Sequence, residues 1–119
     1  MPYMLLIVEP IGQRQTRSPD EGRAAYDVMR GFAGELQQRG KLIAVEALTS
    51  HQVASRVEKR EGRTRVIDGP FAEAKEMVGG FFLVDCATQA EALDLAAECP
   101  AAAWATVEVR KVGTCYEDF

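Results

Sequence analysis

Apolar residues recur along the chain with two different periods, and each period predicts a different kind of element. Segments with alternating apolar residues, or rich in β-branched and aromatic residues, are predicted to be strands. The first of them is apolar at both sets of alternate positions, so we expect both of its faces to be buried. The predicted strands cover residues 3–9, 42–48, 53–59, 63–68, 78–85 and 104–112.

Two other segments repeat apolar residues every three to four positions, which is the period of a helix. Residues 19–39 are predicted to form the longer helix, because Ser18 and Glu21 make a capping box at its start. Gly40 can end this helix in the left-handed conformation. A second capping box opens the helix predicted for residues 88–98.

The order of these elements is β-α-β-β-β-β-α-β, with a hairpin turn at residues 61–62. It predicts an α+β fold, a ferredoxin-like sandwich with an inserted β-hairpin and with two helices on one sheet face. Two helices leave the other face uncovered, and its apolar residues then require a partner, most simply a second copy of the chain. The residues assigned to this uncovered face are Tyr3, Leu5, Ile7, Leu42, Ala44, Glu46 and Trp104.

Composition restricts the possible functions. The chain of 119 residues has room for one domain, predicted to span residues 1–119. Its net charge of −4 argues against nucleic-acid binding, which requires a basic surface. The apolar run at residues 4–8 is too short for a signal peptide or a membrane span, so we expect neither. Three cysteines without a C-x-x-C pair are typical of free thiols in the cytoplasm. With His51 as the single histidine and no cofactor motif, we predict neither a metal site nor a cofactor.

The stretch from Asp68 to Glu76 combines turn-forming and charged residues most densely. Gly69-Pro70 forces a change of direction, and Asp68 ends the preceding strand, which fixes its carboxylate. Residues 72–77 are predicted to form one short helical turn. Two interpretations stay open: Asp68 belongs to a functional site near Lys75, or it only accepts backbone hydrogen bonds in a turn.

A second group of charged residues is predicted on the uncovered sheet face, namely Glu46, Glu108 and Arg110, with Glu9 as a further candidate. Acidic and basic groups on an apolar surface are typical of a small-molecule pocket. Burial raises the pKa of a carboxyl group there and allows it to act as a general acid or base. The alternative is a structural network in which Arg110 neutralises a carboxylate.

Residues 68–76 and the following segment 79–82 resemble the core motif of the YCII-related family, in its Asp-Gly-Pro-Phe branch. Residues 3–7 and 107–110 are similar to the first and last strands of that family. The resemblance implies a ferredoxin-like domain that pairs face to face as a dimeric α+β barrel. It also implies that the motif lines a pocket.

The chain departs from the family pattern at two places. The wider family carries an early histidine, paired with an aspartate and proposed to be catalytic, but residues 13–39 contain no histidine. His51 lies in a different segment, so its role stays unassigned. Ala74 stands where this branch commonly has threonine. Both departures put an enzymatic function in doubt.

Three functions therefore stay open. The first is an enzyme acting on a small polar or anionic molecule, with Asp68 and Glu46 as acid/base residues. Its predicted ligand-binding residues are Lys75, Arg110, Phe71 and Glu76. The second is a non-catalytic ligand-binding or accessory protein, which the resemblance associates with sigma factors and so with transcriptional regulation. The third is a dimeric scaffold without a ligand.

Overall fold

The computed structural model describes residues 1–116, in which β-strands and α-helices follow the predicted order. The strands are β1 Pro2–Pro10, β2 Leu42–Ala47, β3 Ser55–Arg60, β4 Arg63–Asp68, β5 Glu76–Asp85 and β6 Thr106–Lys111. The helices are α1 Pro19–Gln38 and α2 Gln89–Glu98. Short 3₁₀ turns cover Arg14–Thr16, His51–Val53 and Pro100–Ala103.

Four strands form one antiparallel sheet in the order β2-β5-β1-β6, whereas β3 and β4 form a separate two-stranded sheet. Both helices pack on the same face of the larger sheet. Phe32 and Leu36 of α1 and Leu95 of α2 share one buried core with Leu5 and Val84 of the sheet. The predicted α+β ferredoxin-like sandwich with an inserted hairpin is confirmed.

The helix ends form mostly as their sequences predict. The backbone N–H of Glu21 donates to Oγ of Ser18 at 3.2 Å, and the N–H of Ser18 donates to Oε1 of Glu21 at 2.8 Å. Gly40 follows α1 with a φ of 69°, the conformation that glycine adopts without a steric penalty. At α2 only half of the predicted box forms, because the Glu91 carboxylate accepts from the N–H of Ala87 instead.

The assignment of residues to the two sheet faces was wrong for β1. Tyr3, Leu5 and Ile7 are buried beneath the helices, and the intervening residues of β1 face the uncovered side. A strand that is apolar at both alternate sets gives no sequence signal for which set faces the helices. Trp104 is also not on the uncovered face, since it precedes β6 and packs against the core. The uncovered face instead carries Met4, Leu6, Val8, Phe81 and Leu83, which are all half-buried.

A bulge in β2 splits the residues that were assigned to one face. The pairing shifts between Leu42 and Ala44, so that Leu42 lies opposite Val84 and Ala44 opposite Leu83. Leu42 therefore turns to the helix side, whereas Ala44 and Glu46 lie on the uncovered side as predicted. One extra residue in a strand reverses the direction of every side chain before it, and strict alternation cannot anticipate that.

Several predicted boundaries also differ from the structure; the third predicted strand, 53–59, begins only at Ser55 because His51–Val53 form a 3₁₀ turn. Residues 72–77 do not form a helical turn, because Glu76 and Met77 already pair with β1 and begin β5. The last strand starts at Thr106 rather than at Trp104, since Pro100–Ala103 forms a 3₁₀ turn that Trp104 terminates. Within residues 1–116, no helix has both the length and the apolar character that a membrane span requires.

Candidate functional site

The Asp-Gly-Pro-Phe stretch lies at the base of the β3–β4 hairpin. Asp68 pairs with Ser55 across the hairpin, and the hydroxyl of Ser55 donates to Oδ1 of Asp68 at 2.7 Å. The N–H of Gly69 donates to the carbonyl oxygen of Ala54 at 2.7 Å. A Cβ at position 69 would overlap the backbone of His51, so only glycine fits there. The peptide bond between Gly69 and Pro70 is cis. In this arrangement the carboxylate of Asp68 ties the two hairpin strands together.

Phe71 fixes the position of the loop that follows. Its ring is buried, its N–H donates to Nδ1 of His51 at 3.3 Å, and the Arg56 guanidinium lies 3.7 Å from the ring centroid. Arg56 also forms an ion pair with Glu73 at 3.3 Å. His51, which had no assigned role, is thus a direct partner of the motif.

A cavity of about 480 Å³ lies beside this loop, with Thr49, His51, Arg56, Phe71 and Glu76 in its wall. The structure therefore brings together two of the predicted ligand-binding residues, Phe71 and Glu76.

The other predicted site residues lie apart from that cavity. Asp68 is exposed at the hairpin base, and Lys75 is exposed while its carbonyl oxygen accepts from Ile11. Arg110 is exposed on the uncovered sheet face, 4.0 Å from Glu108. Glu46, on the edge strand β2, is also exposed. The two predicted acid/base residues, Asp68 and Glu46, do not share a cavity among the described residues, and their catalytic roles stay predictions.

A larger cavity, here called the α1 groove, runs between α1 and the helix-side face of β2 and β5. Its volume is about 840 Å³. Apolar side chains from both walls line its length, among them Met29 and Ala33 of α1 and Val45 and Phe82 of the sheet. Glu46 lies at its edge. An elongated cavity with apolar walls and a few polar groups is the usual form of a small-molecule site.

Glu9 and Arg14 form an ion pair in the wall of the α1 groove. Nε of Arg14 donates to Oε1 of Glu9 at 2.6 Å, and Nη1 donates to the carbonyl oxygen of Leu48 at 2.9 Å. The Glu9 side chain is only 10% exposed. Glu9 lies at the last helix-facing position of β1, so the alternation that buries Ile7 also buries its carboxylate. Arg14 compensates this charge and links the loop after β1 to the end of β2.

Gly79 makes room for this pair. A side chain at position 79 would overlap Oε2 of Glu9, and it would come within 2.8 Å of Nη2 of Arg14. The ends of the Glu9 and Arg14 side chains would therefore have to move to admit any side chain at this position of β5. The pairing of β1 with β5 also shifts at this point, between Ile7 and Val8.

Two further arginines line the α1 groove, Arg17 and Arg30. The guanidinium of Arg17 lies 5.7 Å from the centroid of the Trp104 ring, which also lines the groove. In the described part of the chain Arg17 has no carboxylate within ion-pair distance. A half-buried guanidinium that forms no ion pair keeps its hydrogen-bond donors available for an anionic group.

Sequence reasoning did not identify this groove. Glu9 was considered only as a residue of the opposite face, and Arg14 and Arg17 were not among the predicted site residues. One signal was present: Glu9 continues the alternation of Tyr3, Leu5 and Ile7 and so lies on their face. For residues 1–116, no three His, Cys, Asp or Glu side chains are arranged to hold a metal ion.

Comparison with known proteins gives two findings. A family model described as the YCII-related domain matches residues 1–114. An uncharacterised protein of Rhizobium meliloti is 48% identical over 59 residues, which cover 50% of this chain and 48% of that protein. The match thus spans about half the length of the curated relative.

Proposed function

The chain belongs to the YCII-related domain family, and from this premise we propose that it is a homodimeric protein that binds a small organic anion in the α1 groove. The observation that carries the proposal is the polar composition of an otherwise apolar groove. Glu9 is already neutralised by Arg14, whereas Arg17 forms no ion pair among the described residues. Beyond this pair the groove is lined by the cations Arg17 and Arg30 and by one carboxylate, Glu46, so its net charge is positive.

The ligand is a molecule with an apolar body and one anionic group. The body lies along Met29, Ala33 and Phe82, whose burial by a ligand is favourable. The anionic group reaches Arg17, where a guanidinium can make two parallel hydrogen bonds to a carboxylate. Trp104 holds the Arg17 guanidinium on its ring face, which reduces the entropy that Arg17 loses on binding.

A catalytic version of the same function is favoured by one observation, the buried carboxylate of Glu9. A carboxylate in the wall of a groove lies where it can act as a general base on a bound ligand. Asp68 and Glu46 are more exposed than Glu9. Their predicted acid/base roles, and the predicted link to transcriptional regulation, remain hypotheses that turnover and partner assays have to test.

The proposed homodimer forms through the uncovered face of the sheet. Met4, Leu6, Phe81 and Leu83 make a contiguous apolar surface across β1 and β5, and no helix of the described chain packs on it. Obligate interfaces of this kind bury on the order of 2,000 Å² or more. The proposal also places the protein in the cytoplasm, which is supported by free thiols at Cys86, Cys99 and Cys115.

A ligand screen with matched variants tests the proposal. Small carboxylates, sulfonates and phosphate esters are first ranked by the rise in melting temperature that they cause, and the best are titrated by calorimetry. Arg17→Met should weaken binding by roughly 10- to 100-fold, the value of a hydrogen bond to a charged group. Arg23→Met is the control, because Arg23 is an exposed α1 residue paired with Asp20. The proposal would be contradicted if both variants lost ligand affinity equally, or if neither variant lost any.

A further inference from the structure

The β3–β4 hairpin, here called the arm, has two unlike faces. On one face Glu58 forms ion pairs with Arg60 at 3.5 Å and with Arg65 at 3.0 Å. On the other face Val57 lies opposite Val66, and these two residues are 66% and 64% exposed. Two neighbouring valines at this exposure leave most of their apolar area in contact with water. The valine face therefore lacks a packing partner within the described protomer.

The arm stands apart from the rest of the protomer. Its two strands form a sheet of their own, and an isolated hairpin is marginally stable in water. The chain has a radius of gyration of 16.2 Å, whereas a compact chain of this length has about 13–14 Å. The described chain extends 46 × 42 × 19 Å. Because the smallest extent is that of a sheet with one helix layer, the arm projects sideways and folds over neither face.

The direction of the arm is nevertheless fixed at its base. Ser55 is hydrogen-bonded to Asp68, Gly69 to Ala54, and the Arg56 guanidinium rests on the Phe71 ring. Phe71 is in turn held by His51. A projecting element that is anchored by this many contacts presents its valine face in one defined orientation, as a docking surface requires.

Charge indicates what the arm binds. Residues 55–68 carry five cationic and three anionic side chains, whereas the rest of the chain carries nine cationic and fifteen anionic ones. Two arms therefore repel each other, and an arm is attracted to the body of another copy. Such complementarity selects the partner and the orientation of docking.

We propose that the arm of one protomer packs its Val57–Val66 face against the body of a second copy of this chain. The arm thus adds a second contact to the sheet-face dimer, and the inference rests on the homodimer proposed above. It assigns a function to the Asp-Gly-Pro-Phe stretch as well. Asp68, Gly69 and Phe71 set the angle at which the arm reaches the partner.

Site-specific photo-cross-linking tests this arrangement in the intact protein. p-Benzoylphenylalanine replaces Val57 on the valine face or, as the control, Arg65 in the neighbouring row of the opposite face. Both positions are exposed, so neither substitution disturbs the core. Irradiation should give a covalent dimer from the Val57 variant, with the cross-link mapped by mass spectrometry to a peptide outside residues 55–68. The Arg65 variant should give a much smaller yield.

Dimer dissociation gives an independent measurement. Val57→Ser combined with Val66→Ser should raise the dissociation constant roughly tenfold or more, since it removes apolar burial from the contact. Higher salt should weaken the wild-type dimer because it screens the attraction between arm and body.

The two proposals fail in different ways. A dimeric wild type whose Val57 variant gives no intermolecular cross-link, or one only to the other arm, would overturn the arm contact and leave the sheet-face dimer standing. A wild type that is monomeric throughout would overturn both.

Discussion

Replacing Arg14 by methionine should destabilise the protein more than the loss of any surface ion pair. The change keeps most of the apolar stem and removes the guanidinium that neutralises Glu9. It also removes the hydrogen bond to Leu48 that holds the end of β2. Glu9 then remains as an uncompensated carboxylate in the wall of the α1 groove.

The expected cost follows from the burial of the pair. Removing one partner of a fully buried ion pair costs about 3–5 kcal/mol. The Arg14 side chain is 32% exposed and that of Glu9 is 10% exposed, so we expect a smaller loss of about 2–3 kcal/mol in the free energy of unfolding. Arg23→Met removes an exposed pair with Asp20 and should cost less than about 1 kcal/mol.

Urea unfolding at a fixed protomer concentration measures these values, because dimer stability depends on concentration. With an m-value of about 1–3 kcal/mol/M, Arg14→Met should lower the urea midpoint by roughly 0.7–3 M. The double variant Glu9→Gln with Arg14→Met should be more stable than Arg14→Met alone, since no buried charge is left. If Arg14→Met and Arg23→Met lowered the free energy of unfolding by similar amounts, Glu9 would not need Arg14 as its counter-charge. A double variant less stable than Arg14→Met would lead to the same conclusion.

Four further outcomes are expected. Leu6→Arg places a charge on the uncovered sheet face and should convert the dimer to a folded monomer in light scattering. The mass of the unreduced protein should show no loss of two protons, since all three cysteines are free thiols. Cys115 should react fast with a thiol reagent, whereas Cys86 and Cys99 should react slowly because burial raises the pKa of their thiols. Asp68→Asn should cost little stability, because an amide oxygen still accepts from Ser55, whereas Asp68→Ala should cost about 1 kcal/mol in urea unfolding. The hydrogen bond from Lys41 lowers the pKa of the Glu91 carboxyl group, so its contribution to stability is present at neutral pH. That contribution should be lost as the pH falls through this lowered pKa, and Glu91→Gln should abolish this part of the acid dependence of unfolding.

The sequence predicted most of the fold because its local signals agree with one another. The Ser18–Glu21 box, Gly40 and the 61–62 turn all formed where the residue types required them. The choice of sheet face failed because it depends on tertiary packing. β1 is apolar on both sides, and the bulge beside Leu42 has no signal in the alternation.

The candidate site was harder to predict because its residues come from separate segments. Glu9, Arg14 and Trp104 belong to a strand, a loop and a turn that only the folded sheet brings to one groove. The Asp68 stretch attracted attention as dense turn chemistry, and its carboxylate is hydrogen-bonded to Ser55 at the base of the hairpin. The turn could be predicted because its charged residues are close together in the sequence. Predicting the groove would have required knowing which face of β1 the helices cover.

Tryptophan fluorescence tests the central claim, ligand binding in the α1 groove, most directly. Trp104 is the single tryptophan of the chain and lines that groove, so intrinsic emission reports on one location. Small carboxylates that raise the melting temperature should also change this emission in a saturable way. Arg17→Met should move this saturable change to ligand concentrations roughly 10- to 100-fold higher, while Arg56→Met, at the cavity beside Phe71, should leave it where it is. Binding in the α1 groove would be contradicted by ligands that raise the melting temperature but leave the Trp104 emission unchanged. It would also be contradicted if only Arg56→Met weakened the emission change.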